Sequence, residues 1–433
     1  MMTNELYRLF LDSAGVCTDS RKAGEGQIFF AIKGDTFDGN KFAASAIEAG
    51  CKFAVVDNAD FAKDERYILV EDALKALQNL SKFHREKFDI PLLAITGSNG
   101  KTTTKELVAA ILSKKYRLMA TRGNLNNHVG LPLTLLELNS QHELAVVEMG
   151  ANQPGEIGLL SKLAQPSYGI ITNIGAAHLE GFGSLEGVKK AKSELYAYLS
   201  ENGGTGLVNR DNDILMELCK RYPFEAVFYG TKGDLFLRGV KEKSSPFITM
   251  TLSGKSMPRE INVKTKLTGK YNGENIAAAA CAGRYFNIDP FDIKEALEYY
   301  EPRNNRSQIC RSGSNLLYID SYNANPVSMK LAIEEFASME GGPKWLILGD
   351  MLELGNYARK EHILILDMLT GYSFKDVLLV GKHFMEHSND YPFRFFETTK
   401  ELNEWLRSNK PENSFVLIKG SRGIRLEECL SFL

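Results

Sequence analysis

The chain has 433 residues, 44% of them hydrophobic and 24% charged, with a formal net charge of −2. That length exceeds one compact core and fits two or three domains, and the near-neutral balance supplies no field to draw nucleic acid or an anionic membrane. No apolar run reaches the ~18 residues of a membrane-spanning helix. The N-terminal MMTNELYRLFLDSAGV lacks the layout of a secretory signal. Six cysteines without a CxxC pair argue against a zinc cluster or a disulfide framework. The expectation is a reduced cytoplasmic enzyme with neither nucleic-acid nor membrane partners.

Through residue 88, the apolar runs IFFAI (28–32), FAVV (53–56) and YILV (67–70), separated by turn or helical material, predict a small α/β domain. Residues 72–87 read as a helix that FDIP (88–91) ends, because proline disfavours helix at the residue before it. From 92 onward, buried-strand runs alternate with helices: LLAIT (92–96), a helix from 101 to 115, LAVVEM (144–149), YGIITNI (168–174) and TGLVN (205–209). Strands without polar alternation, separated by helices, indicate a parallel sheet covered on both faces. Residues 232–268 alternate more and carry the turn signals KEKSS and SGKSM, predicting an antiparallel insertion before helix resumes over 272–300. The polar EPRNNRSQ (301–308) predicts a second linker. Beyond it NLLYID (315–320), KWLILGD (344–350), DVLLVG (376–381) and SFVLIKG (414–420) open a fresh α/β series. The division is 1–88, 89–301 and 302–433.

ITGSNGKTTTKE (95–106) resembles a phosphate loop, but position 95 of a G-x-x-x-x-G-K-[ST] pattern holds isoleucine, and the available glycine is Gly97. The context is nevertheless that of an anion site: a buried strand before, a helix after, and two glycines that let backbone approach a ligand. Gly97, Ser98, Asn99, Gly100, Lys101, Thr102 and Thr103 are candidate nucleotide contacts. Lys101 has the reach for terminal phosphates, and Thr102 the hydroxyl for Mg²⁺. The bland alternative is a strand–turn–helix corner with an exposed lysine.

Glu148 closes a strand, and strand C-terminal ends are where α/β sheets place ligands. His178 follows 168–174 in NIGAAHLEGFGS. Together they could ligate a phosphate-bridging divalent cation; singly, each reads equally as a solvated or capping residue. GNLNNHVGLPLTLL (123–136) is either a loop entering a helix or a set of amides facing a polar substrate.

TGSNGKTTTKE, GNLNNHVGLPLTLL, VVEMGANQPGEI, NIGAAHLEGFGSLEGVKKAKSEL, DSYNANPVSM and LGDMLELG, in this order, resemble the Mur ligase family. DSYNANP and GDMLELG resemble its branch that joins D-alanyl-D-alanine (D-Ala-D-Ala) to UDP-N-acetylmuramoyl-tripeptide. The likeness extends from TDSRKAGEGQIFFAIKGDTFDGNKF (18–42) to KGSRGIRLEE (419–428). It implies an N-terminal UDP-substrate domain, a central P-loop-type ATPase domain and a C-terminal Rossmann-like domain, in a monomer. It further implies an ATP- and Mg²⁺-dependent ligation of peptidoglycan synthesis through an acyl phosphate and a tetrahedral intermediate.

Position by position, Lys101 resembles the family's phosphate-binding lysine, Thr102 and Glu148 ligands of one magnesium, and His178 a ligand of a second. Lys192 resembles the lysine that the family carbamylates; without the family, Lys189, Lys190 and Lys192 read as a solvated basic helix face. Asn275 resembles an adenine contact, Arg306 a phosphate-facing arginine and Asp320 a ribose contact. The family's usual glycine before that arginine is Asn305 here. Asn323 and Asn325 fall toward ATP or the dipeptide. Ser20, Arg21 and the stretch 33–40 resemble the UDP-sugar region, and Asn124, Asn126, Asn127 and Thr134 the muramoyl-peptide contacts. ATP residues on two domains imply that the C-terminal domain swings in on binding. Open alternatives are another Mur-type or folylpolyglutamate-type ligase, and a nucleotide-switch ATPase without ligation chemistry.

Overall fold

The computed structural model of the protein describes residues 3–34, 36–231, 238–241, 247–255, 257, 259–303 and 305–433. Four parallel strands, Val16–Cys17, Ile28–Phe30, Phe53–Val56 and Tyr67–Leu69, pair in sequence order. One face packs Phe30 and Val55 against Leu6, Phe10, Leu77 and Leu80 of the helices Thr3–Leu11 and Ala73–Arg85. The other packs Phe29 and Ala54 against Ala43, Ala46 and Ile47. Both faces are covered, which is why the strands read as unbroken apolar runs. Asp72 caps the helix Ala73–Arg85 by accepting from Lys75 N. At its far end buried Arg85 donates to the carbonyls of Phe88, Ile90, Ala164 and Gln165. That ties the FDIP segment to the central domain.

The second sheet has six parallel strands in the order Glu225–Tyr229, Thr205–Asn209, Tyr168–Ile171, Leu92–Thr96, Leu144–Glu148, Leu118–Ala120. Helices Lys101–Leu112 and Lys270–Tyr285 cover one face and Glu156–Ala164 with Leu185–Glu201 the other. The antiparallel insertion comprises Arg238–Lys241, Thr249–Ser253 and Ile261–Lys264. The KEKSS turn signal falls on 242–245 after Lys241, outside the described residues.

The outer strands Leu118–Ala120 and Glu225–Tyr229 are additions to the sequence reading. The first is only three residues long, and the second has a half-exposed burial pattern, so neither shows a clear periodicity. The span 272–300 is two helices, Lys270–Tyr285 and Pro290–Tyr299, separated at Asn287 (φ +58°) with Asp289 capping the second.

The expected linker 301–308 runs directly into the strand Gln308–Ser312. That strand is antiparallel to Asn315–Ile319 and opens a sheet ordered 308–312, 315–319, 415–419, 344–349, 376–380, 394–396, whose other pairs are parallel. The fold is therefore α/β in three domains. In the central sheet the chain departs from strand Leu92–Thr96 to both sides. In the C-terminal sheet Phe415–Lys419 lies between Asn315–Ile319 and Lys344–Gly349. Such reversals open a crevice at the carboxyl ends of the strands, and here the two crevices face each other.

Candidate active site

The loop after Leu92–Thr96 is shaped by its glycines. Gly97 has φ +142° and a Cβ there would lie 2.0 Å from Thr172 Oγ1; Gly100 has φ +79° and its Cβ would lie 2.4 Å from Asn275 Oδ1. Neither place admits a side chain. The end of strand Tyr168–Ile171 clamps the loop. Thr172 Oγ1 and Asn173 Nδ2 donate to Asn99 O (2.6 and 3.1 Å), Asn173 Oδ1 accepts from Asn99 N (3.0 Å), and Ser98 Oγ donates to Gly175 O (2.9 Å). A loop two residues short of the usual pattern is thus held by the neighbouring strand. Lys101 opens the helix Lys101–Leu112, and its Nζ donates to Gly97 O (2.8 Å) and Ser98 O (3.1 Å). Burial lowers its pKa, with Arg306 adding to the effect and Glu148 opposing it.

Glu148, 1% exposed, accepts through Oε1 from Asn126 Nδ2 (2.7 Å), while its buried Oε2 has no partner. A buried carboxylate oxygen left this way is costly unless a cation or donor meets it, so the residue fits a cation ligand. Among the described residues no three His, Cys, Asp or Glu side chains cluster into a metal cage. A cation here would complete its shell with phosphate oxygens and water, as Mg²⁺ does. His178 caps the turn Leu179–Phe182 with φ +51°. Its Nδ1 lies 2.5 Å from Glu353 Oε2, at an angle outside that of a straight hydrogen bond.

The basic-face reading holds for Lys189, which pairs with Glu217 (2.8 Å), and for exposed Lys190, but not for Lys192. Lys192 is 1% exposed; its Nζ donates to Ala151 O (3.2 Å) and lies 5.2 Å from the Phe182 ring. Burial, then the charge of Lys101, pushes its pKa down to about 7. A sequence signal existed. Val188, Ala191, Lys192, Leu195, Tyr196 and Leu199 form the buried i, i+3, i+4 stripe of Leu185–Glu201, and Lys192 is its one charge.

From the C-terminal side, Asp320 Oδ1 accepts from Ser307 N (3.1 Å) and Oδ2 pairs with buried Lys419 Nζ at 2.5 Å. The Arg306 guanidinium lies 3.6 Å from the Tyr322 ring centroid, its Nε unpartnered. Asn305 has φ +55°, a left-handed conformation that asparagine tolerates, so it can stand where the family has glycine. Asn325 caps the helix Pro326–Ser338 and donates through Nδ2 to Asn99 Oδ1 (2.7 Å), a bond between the two domains. Asn323 Oδ1 accepts from Ala324 N (2.9 Å).

A cavity of about 650 Å³ lies between the domains. Of the expected residues, Ser98 to Thr103, Asn124, Asn126, Asn127, Glu148 and His178 line it from the central domain, and Arg306, Asp320, Asn323 and Asn325 from the other. Gly97 and Lys192 sit behind its wall. Asn275 lies just behind the lining: 4% exposed, it accepts from Thr104 Oγ1 and donates to Asn272 Oδ1, bracing Gly100 while Tyr271 and Glu274 of the same helix reach the cavity. Thr134 is also outside the lining: 1% exposed, its hydroxyl donates to Gly130 O within the helix Gly130–Leu135. Ser20 and Arg21 lie in the N-terminal domain, outside this cavity, with Arg21 88% exposed and paired to Asp19. Sequence reasoning missed Lys419, Tyr322, Arg422 and Glu353 on the cavity wall. Lys419 closes a strand, the same signal that singled out Glu148.

Fold and site together define an α/β enzyme whose phosphate-type loop faces a second, Rossmann-like domain across one cavity. The chain belongs to the Mur ligase family: the family's middle domain matches residues 95–283, its glutamate ligase domain 305–422, and its catalytic domain 13–85. The UDP-N-acetylmuramoyl-tripeptide–D-alanyl-D-alanine ligase of Bacillus subtilis is 36% identical over 97% of this chain and 93% of its own length. The Escherichia coli ligase of the same name is 33% identical over 100% of this chain and 96% of its own. The crystal structure of MurF from Acinetobacter baumannii superposes with a TM-score of 0.87 at 30% identity, covering 99% of this chain and 98% of that one. That of MurF ligase from Thermotoga maritima in complex with ADP has a TM-score of 0.84 at 27% identity, covering 98% and 97%.

Proposed function

We infer that this protein is an ATP-dependent ligase that joins D-Ala-D-Ala to UDP-N-acetylmuramoyl-tripeptide in peptidoglycan synthesis. The observation that carries the mechanism is the convergence of the phosphate loop, the half-unpartnered Glu148 and the Asp320–Asn325 segment on one interdomain cavity. Near-full-length likeness to ligases of that name supports the substrates.

A carboxylate is a poor electrophile, so the tripeptide's terminal carboxylate first attacks the γ-phosphorus of ATP. Its new O–P bond replaces the bond to ADP. The dipeptide amine then adds to the acyl carbon, and the tetrahedral intermediate expels phosphate as the amide forms and the amine loses its proton. Two anions must approach each other in the first step, so positioning and charge neutralisation dominate. Lys101 and the N–H groups opening the helix Lys101–Leu112 hold the phosphates. Thr102 and Glu148 would hold one Mg²⁺, and His178 with Lys192 as a carbamate a second; the metal, when bound, offsets the phosphate charge. With its pKa near 7, the Lys192 amine is neutral often enough to add to CO₂, forming an N–C bond and losing a proton.

Arg306 and Asp320 serve the nucleotide. Asn124, Asn126 and Asn127 serve the muramoyl peptide, Asn323 and Asn325 the ATP or dipeptide side, and Ser20 and Arg21 the UDP moiety. The domains run 1–88, 89–301 and 302–433, in a cytoplasmic monomer; among the described residues no helix is long and apolar enough to cross a membrane. The C-terminal domain closes on binding and excludes water from the acyl phosphate.

The test is phosphate release with UDP-tripeptide and D-Ala-D-Ala, each also omitted in turn. Release that needs both, and that falls about 100- to 1,000-fold in Lys101→Ala, is expected. ATP hydrolysis indifferent to the acceptor would overturn the reading.

A further inference from the structure

We propose that Glu353 is a positioning residue: it reaches His178 across the domain boundary and fixes which ring nitrogen carries the proton, so that the imidazole is set for a cation only when the C-terminal domain is docked. The proposal rests on the functional reading above only for what that cation does.

Glu353 lies in the turn after Lys344–Gly349, and that turn is held rigidly. Asp350 Oδ2 and Oδ1 accept from His383 N (2.9 Å) and Phe384 N (3.0 Å), Met351 N donates to fully buried His362 Nε2 (3.1 Å), and Leu352 N donates to Ser421 Oγ (2.9 Å). Ser421 Oγ in turn donates to Ala324 O (3.3 Å), joining this turn to the Asp320–Asn325 segment. Glu353 is therefore presented by a fixed frame.

The frame docks on the His178 loop at three further points. Glu180 N donates to Glu353 O (3.2 Å), Tyr357 Oη donates to Gly183 O (3.3 Å), and a Cβ on Gly355 would come within 3.4 Å of Glu180 Cα. Glu353 (φ +64°) and His178 (φ +51°) both hold left-handed backbones without being glycine. Such conformations cost about 1–3 kcal/mol each and persist where the surroundings over-determine them, often at functional contacts.

The docked turn brings Glu353 Oε2 to 2.5 Å from His178 Nδ1, with Glu353 half-exposed and His178 21% exposed. Although off the line of a straight hydrogen bond, a carboxylate charge this close to Nδ1 favours the tautomer protonated there, because an Nδ1 lone pair would face it. The lone pair is then on Nε2, the arrangement in which an imidazole binds metal. Docking of the turn, which also carries the Asn325–Asn99 bond's domain, thereby links closure to the chemistry of a side chain in the other domain.

The test uses the full chain, ¹⁵N-labelled, without Mg²⁺ or nucleotide. Long-range ¹H–¹⁵N spectra report the tautomer of each of the seven histidines, with His178 assigned by loss of its signal in His178→Gln. Wild type is expected to show the Nδ1–H form at His178. Glu353→Ala is expected to shift it toward Nε2–H, and Glu353→Gln, which removes the charge but leaves an oxygen near Nδ1, to shift it less far. Tyr357→Phe removes an interface bond without touching the ring and should leave the tautomer unchanged. In the phosphate-release assay, Glu353→Ala should raise the Mg²⁺ concentration for half-maximal rate about 10- to 100-fold, with KM for the UDP-substrate unchanged. An unaltered tautomer, an unaltered Mg²⁺ requirement, or an equal tautomer shift in Tyr357→Phe overturns the proposal. Absence of phosphate release in wild type would instead strike the functional reading, and the tautomer spectra would still decide this one.

Discussion

Replacing Lys192 by methionine keeps the volume of a buried side chain and removes its charge. The folded pKa near 7 lies below the ordinary 10.5, so between those values the unfolded chain binds more protons and stability rises with pH. The cost of the buried ammonium is fully present below pH 7 and fades toward pH 10.5. At about 1.4 kcal/mol per pH unit, the interval corresponds to about 5 kcal/mol. Against this, methionine leaves the buried Ala151 carbonyl without its donor, at about 1–3 kcal/mol. Lys192→Met should therefore be about 2–4 kcal/mol more stable than wild type at pH 6. Near pH 10, where little of the ammonium's cost remains, it should be about 1 kcal/mol less stable. For a domain of this size 1 kcal/mol moves Tm by about 2–4 °C, so calorimetry in CO₂-free, Mg²⁺-free buffer resolves the reversal in the central-domain transition. A Tm difference that stays constant from pH 6 to 10 would refute the assignment of a buried, charge-destabilised amine.

Gly100→Ala should weaken ATP binding at least about tenfold by calorimetric titration, because the left-handed backbone costs about 1–2 kcal/mol and the methyl displaces Asn275; unchanged affinity would show that the loop geometry does not matter. Arg85→Ala should leave the carbonyls of Phe88, Ile90 and Ala164 unpaired, at about 1–3 kcal/mol each. Proteolysis near residues 88–91 should accelerate, and an unchanged cleavage rate would refute the pin. Lys419→Met strands the Asp320 carboxylate and should cost about 3–5 kcal/mol; adding Asp320→Asn should recover part of it, and strict additivity in the double variant would deny the coupling.

Much of the fold was legible because parallel strands covered on both faces write continuous apolar runs. LLAIT, LAVVE and FVLIK are each buried along their whole length. The edge strand Glu225–Tyr229 was illegible because four of its five positions are only partly buried or exposed and carry no such signature. The phosphate loop was legible from glycines flanked by strand and helix. A motif fixes a place in the chain and not the direction of a side chain: Asn275 accepts from Thr104 Oγ1, beside the cavity-lining Glu274, and Thr134 donates to Gly130 O.

What the sequence determined by itself is local: the runs that become strands, the glycines that must bend, and the residue types a phosphate and a divalent cation require. What tertiary structure decided is which of these are brought together and in what medium. Lys189 and Lys192 differ by less than one helical turn, yet one reaches water and Glu217 while the other ends buried behind the cavity wall beside Phe182. Glu353 and His178 are far apart in the chain and meet only because two sheets present their carboxyl ends to each other. Charge, protonation and metal affinity depend on burial and partners, and these are properties of the packed surface opposite a residue, which no local pattern contains.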